Sequence, residues 1–252
     1  MIVNFAAQSE VAPSWENPWD WYRTNVVALS RLTHRLVGKD WLRKYVHISS
    51  PEVYGTTEGT VTEDAPLDPS TPYAASKAAA DLHLLTLVKN FDFPLAWVRA
   101  TNVYGAGQQV FKIIPRSFIR LRQGETIELH GGGRAVKSYI HIRDVSRGEL
   151  AIALSDGAGG GFHLSPDTGV EVREVVRRIR ELAGEDFDQK TASTEERLGQ
   201  DRAYVISSER ARRELGWAPR VSLDEGLAEV GKWIDASWEE IASLPHEYVH
   251  KR

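Results

Sequence analysis

The sequence predicts an α/β fold organised around a parallel sheet, and three observations carry that expectation. Three short runs are apolar almost throughout rather than alternating: Met1-Ile2-Val3-Asn4-Phe5-Ala6-Ala7, Tyr45-Val46-His47-Ile48 and Pro94-Leu95-Ala96-Trp97-Val98-Arg99-Ala100. Strands have that composition when both faces of their sheet are covered, as in parallel sheets with helical crossovers. Helical stretches over 17–36 and 73–89 stand between the runs and are long enough for such crossovers. Each run also ends in small or polar residues, at the carboxyl edge where open α/β sheets bind ligands.

Composition bounds the function without choosing it. The 252 residues are 42% hydrophobic and 26% charged, and a net charge of −4 exerts no general pull on nucleic acid or anionic lipid. No run approaches the roughly 20 apolar residues of a membrane span, and no signal-peptide pattern opens the chain. Without cysteine there is no disulfide framework, thiolate metal site or cysteine nucleophile. A cytoplasmic protein with neither nucleic-acid nor membrane partners is expected. No metal site is expected either: the histidines show no H-E-x-x-H pattern, and His246 and His250 read as surface residues. A serine-hydrolase elbow, G-x-S-x-G, is also absent.

The first run reads as a buried strand starting at Met1. After Gln8-Ser9-Glu10-Val11-Ala12-Pro13-Ser14, Asn17-Pro18 open the first helix. Within it Asn25 is either a buried amide satisfied by backbone or a support for a bound ligand. The strand at Tyr45–Ile48 runs into Ser49-Ser50-Pro51-Glu52-Val53-Tyr54-Gly55, which delivers two hydroxyls and a carboxylate to the end of the sheet. A loop rich in Pro and Asp, 64–69, then leads to the second helix. Tyr73 and Lys77 are four residues apart and share a face of it. A phenol beside a fixed cation has its anion stabilised, so its pKa is expected to fall from about 10 towards neutrality. That makes a proton acceptor for alcohol oxidation. The third strand ends in Thr101-Asn102-Val103-Tyr104-Gly105-Ala106-Gly107, where Asn102 can donate and accept at once. Gly131-Gly132-Gly133 and Gly159-Gly160-Gly161 read as turns, and Gly161-Phe162-His163-Leu164-Ser165 as a short strand. An amphipathic helix follows, with apolar positions at 172, 175, 176, 179 and 182, and a helix over 223–233 closes the pattern.

The Ser49-Ser50-x-Glu52 loop followed by Tyr73-x-x-x-Lys77 resembles the extended, nucleotide-sugar-modifying branch of the short-chain dehydrogenase/reductase superfamily. Three further segments carry the resemblance. Asn102-Val103-Tyr104-Gly105-Ala106-Gly107 is close to that family's Asn-x-Tyr-Gly-Pro-Gly. Lys137-Ser138-Tyr139-Ile140-His141-Ile142-Arg143-Asp144-Val145 is similar to its Arg-x-(aromatic)-(apolar)-x-Val-x-Asp-Val. Glu196-Arg197-Leu198-Gly199-Gln200-Asp201-Arg202-Ala203-Tyr204 is similar to a run of the dTDP-glucose 4,6-dehydratases.

The resemblance implies a Rossmann-like, doubly wound parallel sheet over 1–108, interleaved with a smaller α+β substrate lobe over 109–252. It implies NAD or NADP as cofactor, NAD favoured, near Ala6, Ala7, Asn25, Ser49, Tyr73, Lys77 and Ala100. It places a nucleotide-diphosphate sugar near Ser9, Asn102, Lys112, Lys137 and Arg202, with an exposed surface loop as the competing reading of Arg202. A homodimer through the 17–36 and 73–89 helices is also implied. Ala78-Ala79-Ala80 suits that interface, and a core-facing stripe is the competing explanation. The family pattern further calls for a strand, Gly-rich turn and helix ahead of Met1, with the cofactor pyrophosphate at the helix N-terminus. The 252 residues contain no such unit, so this βαβ part is expected to be missing.

The chemistry implied is dehydration to a 4-keto-6-deoxy sugar. Tyr73, with Ser50 and Lys77, takes the proton of a sugar hydroxyl as hydride leaves, and Glu52 then removes the acidified C5 proton so that water departs from C6. Three departures temper the match. Pro51 stands where dTDP-glucose enzymes carry a proton-donating Asp, Glu10 where His is usual, and Lys137 where Arg meets the diphosphate. Lys keeps the attraction but not the bidentate fork. An epimerase or decarboxylase on the same scaffold, and a non-catalytic sugar-nucleotide binder, are the alternatives.

Overall fold

The computed structural model describes residues 1–57, 59–156, 159–184, 190–195 and 205–250. Four parallel strands form the central sheet: β1 (Ile2–Asn4), β2 (Tyr45–Ile48), β3 (Leu95–Ala100) and β4 (Gly160–Leu164), in that spatial order. Side chains alternate across a strand, so neighbours point to opposite faces. Tyr45, Leu95 and Trp97 accordingly pack on one side with Leu29, Leu36, Leu84 and Leu87. Val46, Ala96, Val98 and Phe162 pack on the other with Val145, Ile152, Ala211 and Trp217. The helices on the first side are α1 (Pro18–Tyr22), α2 (Leu29–Leu36) and α3 (Pro72–Phe91), and those on the second are α5 (Ile142–Leu154) and α7 (Glu209–Leu215). Both faces are covered, as the apolar strand composition requires.

A second core lies beside this sheet. It joins Ile114 and Ile119 of α4 (Ile113–Gln123), Val176 and Ile179 of α6 (Val172–Leu182), and Leu227 and Val230 of α8 (Leu223–Ala236). The chain does not divide cleanly between the cores, because β4, α5 and α7 return to the first sheet after α4 has entered the second.

Three expectations need correction. The first strand is half-buried rather than buried, because β1 is the edge strand, and Phe5, Ala6 and Ala7 beyond it are exposed. Gly160 and Gly161 belong to β4 rather than to a turn. A Cβ on Gly161 would lie 1.9 Å from the Trp97 ring, so glycine is required by that ring's approach to the strand. The first helix is interrupted by a π-helical stretch, Arg23–Ala28, that contains Asn25. Among the described residues no helix is long and apolar enough to cross a membrane.

Candidate active site

The carboxyl ends of β1, β2 and β3 meet the N-terminus of α3. Thr71 caps that helix by accepting from the Ala74 N–H at 3.2 Å, and the Tyr73 N–H donates to the buried Ser14 hydroxyl at 3.1 Å. These bonds fix the first turn, and with it Tyr73. On the strand side Ser50 caps a short 3-10 turn, Pro51–Tyr54, by accepting from the Glu52 N–H. Gly55 ends the turn at φ 66°, and a Cβ there would lie 2.2 Å from the Asp68 carbonyl oxygen. The turn therefore holds Glu52 and Ser50 facing the helix.

Tyr73 and Glu52 line one cavity of about 680 Å³, together with Ser9, Asn102, Lys112 and Lys137. Six predicted residues from six separate segments are thus brought to one space. Ser50 hydrogen-bonds the Tyr73 phenol, and Ser49, Ser50 and Lys77 are buried behind it. Lys77 donates to the Ile48 carbonyl at 2.7 Å. Asn102 donates to the Ser138 carbonyl at 3.0 Å, so one of its donors is already engaged. Arg202 lies outside the described residues.

The phenol's pKa moves opposite to expectation. Burial raises it above the usual tyrosine value, and the negative charges of Glu52, Glu10 and Asp81 add to the effect, while the Ser50 hydrogen bond opposes it. Burial likewise lowers Lys77 to about 8, with Asp81 pulling upward. Sharing a helix face did not make the ammonium a dominant neighbour of the phenol, since it bonds a strand carbonyl instead. In this state Tyr73 holds its proton, and a positive charge beside it would be needed to release it.

The cofactor-side residues divide into shelf and support. Ala6 and Ala7 are exposed just beyond β1, and Ala100 is half-buried at the end of β3. Small side chains at these positions are compatible with the flat nicotinamide–ribose end of a dinucleotide. No Gly-rich turn opens a helix beside β1 among the described residues; Gly131–Gly133 is a 3-10 turn in the second core region. Asn25 is 3% exposed. Its oxygen accepts from the Gln8 N–H at 2.7 Å, and its nitrogen donates to the Gln8 carbonyl at 3.0 Å and the Ser76 hydroxyl at 2.9 Å. The amide ties the segment after β1 to α3, from within a π-helical turn of the kind frequent at functional sites.

Several contributing residues escaped the sequence reading. Asp81 accepts from the Ser49 hydroxyl at 2.6 Å and from Arg99 at 2.7 Å, binding the ends of β2 and β3 to α3 under the phenol. Arg99 also bonds the Tyr54 hydroxyl, which contacts His163 at 2.7 Å. Asp81 follows Lys77 by four residues, so helical spacing was a usable signal. Arg99 sits in a strand and had none. Glu10 adopts φ 78°, a strained conformation for a side-chain-bearing residue, and pairs with Lys112 at 2.5 Å across the cavity. His250, expected at the surface, instead stacks on Trp21 with centroids 5.2 Å apart and pairs with Asp20 at 2.9 Å.

Similarity to known proteins extends over most of the chain. The family model for GDP-mannose 4,6 dehydratase matches residues 1–230. A dTDP-glucose 4,6-dehydratase of Streptomyces griseus is 35% identical over 242 residues, 95% of this chain and 73% of that protein. Among solved structures, DesIV, a dTDP-glucose 4,6-dehydratase from Streptomyces venezuelae with NAD and TYD bound, aligns with a TM-score of 0.90 at 32% identity, over 95% of this chain and 74% of that one. MoeE5, in complex with UDP-glucose and NAD, aligns with a TM-score of 0.87 at 31% identity, over 94% and 79%.

Proposed function

The chain belongs to the GDP-mannose 4,6 dehydratase family, and from that premise we propose that it dehydrates a nucleotide-diphosphate sugar to its 4-keto-6-deoxy form with NAD as cofactor. The observation that carries the reading is the placement of Tyr73 and Glu52 in one cavity, with Ser50 bonded to the phenol. Ala6, Ala7, Ser49, Lys77 and Ala100 would hold the nicotinamide end of NAD, and Asn25 would keep Gln8 and α3 in place around it. When bound, NAD supplies a hydride acceptor that is regenerated within one turnover, and a positive charge that favours the phenolate.

The remaining steps belong to this chain's side chains. Ser50 orients the Tyr73 oxygen towards the sugar 4-hydroxyl, and Tyr73 takes its proton. The ketone formed at C4 acidifies the C5–H, and Glu52 would remove that proton and pass it to the departing C6 hydroxyl, which leaves as water. Hydride returned to C6 and a proton returned to C5 leave no net oxidation. Asn102, Lys112 and Lys137, with Ser9 nearer the sugar, would hold the substrate, and Arg202 would reach its nucleotide. Residues 1–108 and 109–252 would serve chiefly as cofactor and substrate parts.

The working form is proposed to be a homodimer through the 17–36 and 73–89 helices. Trp19, Leu82 and Leu85 on these segments are 45–61% exposed, large apolar groups that a second copy would cover. One observation favours a second reading, epimerisation or decarboxylation: Pro51 is buried in the loop where an acid would protonate the departing hydroxyl. Incubation with NAD and, in turn, dTDP-glucose, UDP-glucose and GDP-mannose tests the proposal by mass spectrometry. Loss of one water from one substrate supports dehydration. A chromatographically distinct product of unchanged mass, or loss of carbon dioxide from UDP-glucuronate supplied in parallel, favours the second reading, and no binding of NAD or any of these substrates overturns both.

A further inference from the structure

A segment remote in sequence from the catalytic loop contributes to the cavity. Residues 245–250 follow α9 (Trp238–Ser243), and Glu247 and Tyr248 line the cavity with Tyr73 and Lys112. Side-chain contacts hold the segment. His250 stacks on Trp21 and pairs with Asp20, and the Tyr248 hydroxyl accepts from the Gln8 amide at 3.0 Å. The Tyr248 ring meets Phe111 edge-on at 5.4 Å, and His246 contacts the Ile241 carbonyl of α9 at 3.0 Å. Glu247 places one carboxylate oxygen 3.0 Å from Arg116 and 3.4 Å from Arg120.

These arginines are one helical turn apart on α4 and both line the cavity. Each is about four-fifths buried, whereas Glu247 is 68% exposed. Arg116 is also 3.7 Å from Glu128, and Arg120 donates to the Thr126 carbonyl at 2.8 Å. Two guanidinium groups converging on one oxygen are the geometry that takes a phosphate or carboxylate oxygen. The group that supplies that oxygen here sits on an exposed strap held by side-chain contacts. With its carboxylate largely in water, the pair contributes on the order of 1 kcal/mol, so a ligand anion can displace Glu247.

We propose that Arg116 and Arg120 form an anion site for a phosphate group of the ligand, and that residues 245–250 are a strap whose Glu247 occupies the site from within. Ligand phosphate and Glu247 then compete, and binding at the arginine pair releases the strap's central contact. The proposal rests on the reading of this cavity as a nucleotide-sugar site, since that substrate supplies the phosphate.

Inorganic pyrophosphate tests it without a sugar or base. Calorimetric titration at low salt would compare the full chain, Glu247→Gln, and the double variant Glu247→Gln/Arg120→Gln. Removing one negative charge beside a multiply charged anion is expected to tighten pyrophosphate binding about tenfold, and loss of Arg120 to cancel the gain. Equal or weaker binding by Glu247→Gln, no binding by either, or a gain that survives Arg120→Gln overturns the proposal. Glu247 is exposed, so its substitution leaves the fold intact. Parallel titrations with UDP-glucose and dTDP-glucose separate the two claims. If the sugar nucleotides bind while pyrophosphate shows no contrast, the strap fails alone; if no sugar nucleotide binds either form, the site reading fails on its own account.

Discussion

Replacing Lys77 by methionine probes the charge buried beneath the phenol. The Lys77 side chain is 2% exposed, and burial draws its pKa from 10.5 to about 8 against the upward pull of Asp81. Because the folded value lies below the unfolded one, the unfolded chain keeps a proton between these pH values that the folded chain has released. Stability must therefore rise with pH across that window, and the cost of the charge is fully present below it. The fall from 10.5 to about 8 corresponds to about 3 kcal/mol. Methionine has similar length and no charge, and it forfeits only the bond to the Ile48 carbonyl, worth about 1 kcal/mol. Lys77→Met should thus be more stable than the parent by about 2 kcal/mol near pH 7, and the two should converge near pH 10. Urea unfolding followed by circular dichroism, at several pH values between these, measures the difference directly. Tyr45 and Tyr54, raised to about 12, oppose the rise only above about pH 10, and they cancel between parent and variant. A parent–variant difference that stays flat from about pH 7 to pH 10 would show that folded Lys77 carries no such cost.

Other substitutions reach the remaining links. Glu52→Gln should leave oxidation of the sugar 4-hydroxyl intact and slow water loss about a hundredfold or more, so that the 4-keto hexose accumulates in a rapid-quench assay; an unchanged rate of water loss would remove Glu52 from the role of base. Asp81→Asn leaves Arg99, itself 3% exposed, without its buried partner, and should cost about 3 kcal/mol in urea unfolding. A change within experimental scatter would mean that the pair is not a structural tie. Leu85→Glu puts a charge on the exposed apolar face of α3, where Leu85 is 45% exposed, and should halve the mass seen by light scattering if that face joins two copies. A parent protein already monomeric at working concentration would refute the dimer instead.

Much of this protein was legible without coordinates. The apolar runs of β2 and β3, the helices between them and the 172–182 helix follow from periodicity, because burial on one or both faces imposes a fixed spacing on the apolar residues. Ser50, Glu52, Tyr73 and Lys77 were visible as a strand end and a helix face, since each lies within a few residues of its partners in sequence. The half-exposure of β1 was not, because an edge strand and a central one have the same composition when only neighbours in space differ.

What the sequence determined by itself was the set of elements and the residue types at their ends, which depend on local backbone preference and on the periodic removal of apolar surface from water. Only the tertiary structure decided the electrostatics of the site. Tyr73 holds its proton because burial, with Glu52 and Glu10, outweighs the Ser50 hydrogen bond, and Lys77 turns to a strand carbonyl. Glu10 meets Lys112, 102 positions away, and Glu247 meets Arg120, 127 away. Charge interactions fall off with distance through space and with exposure to water, and neither is a function of separation along the chain.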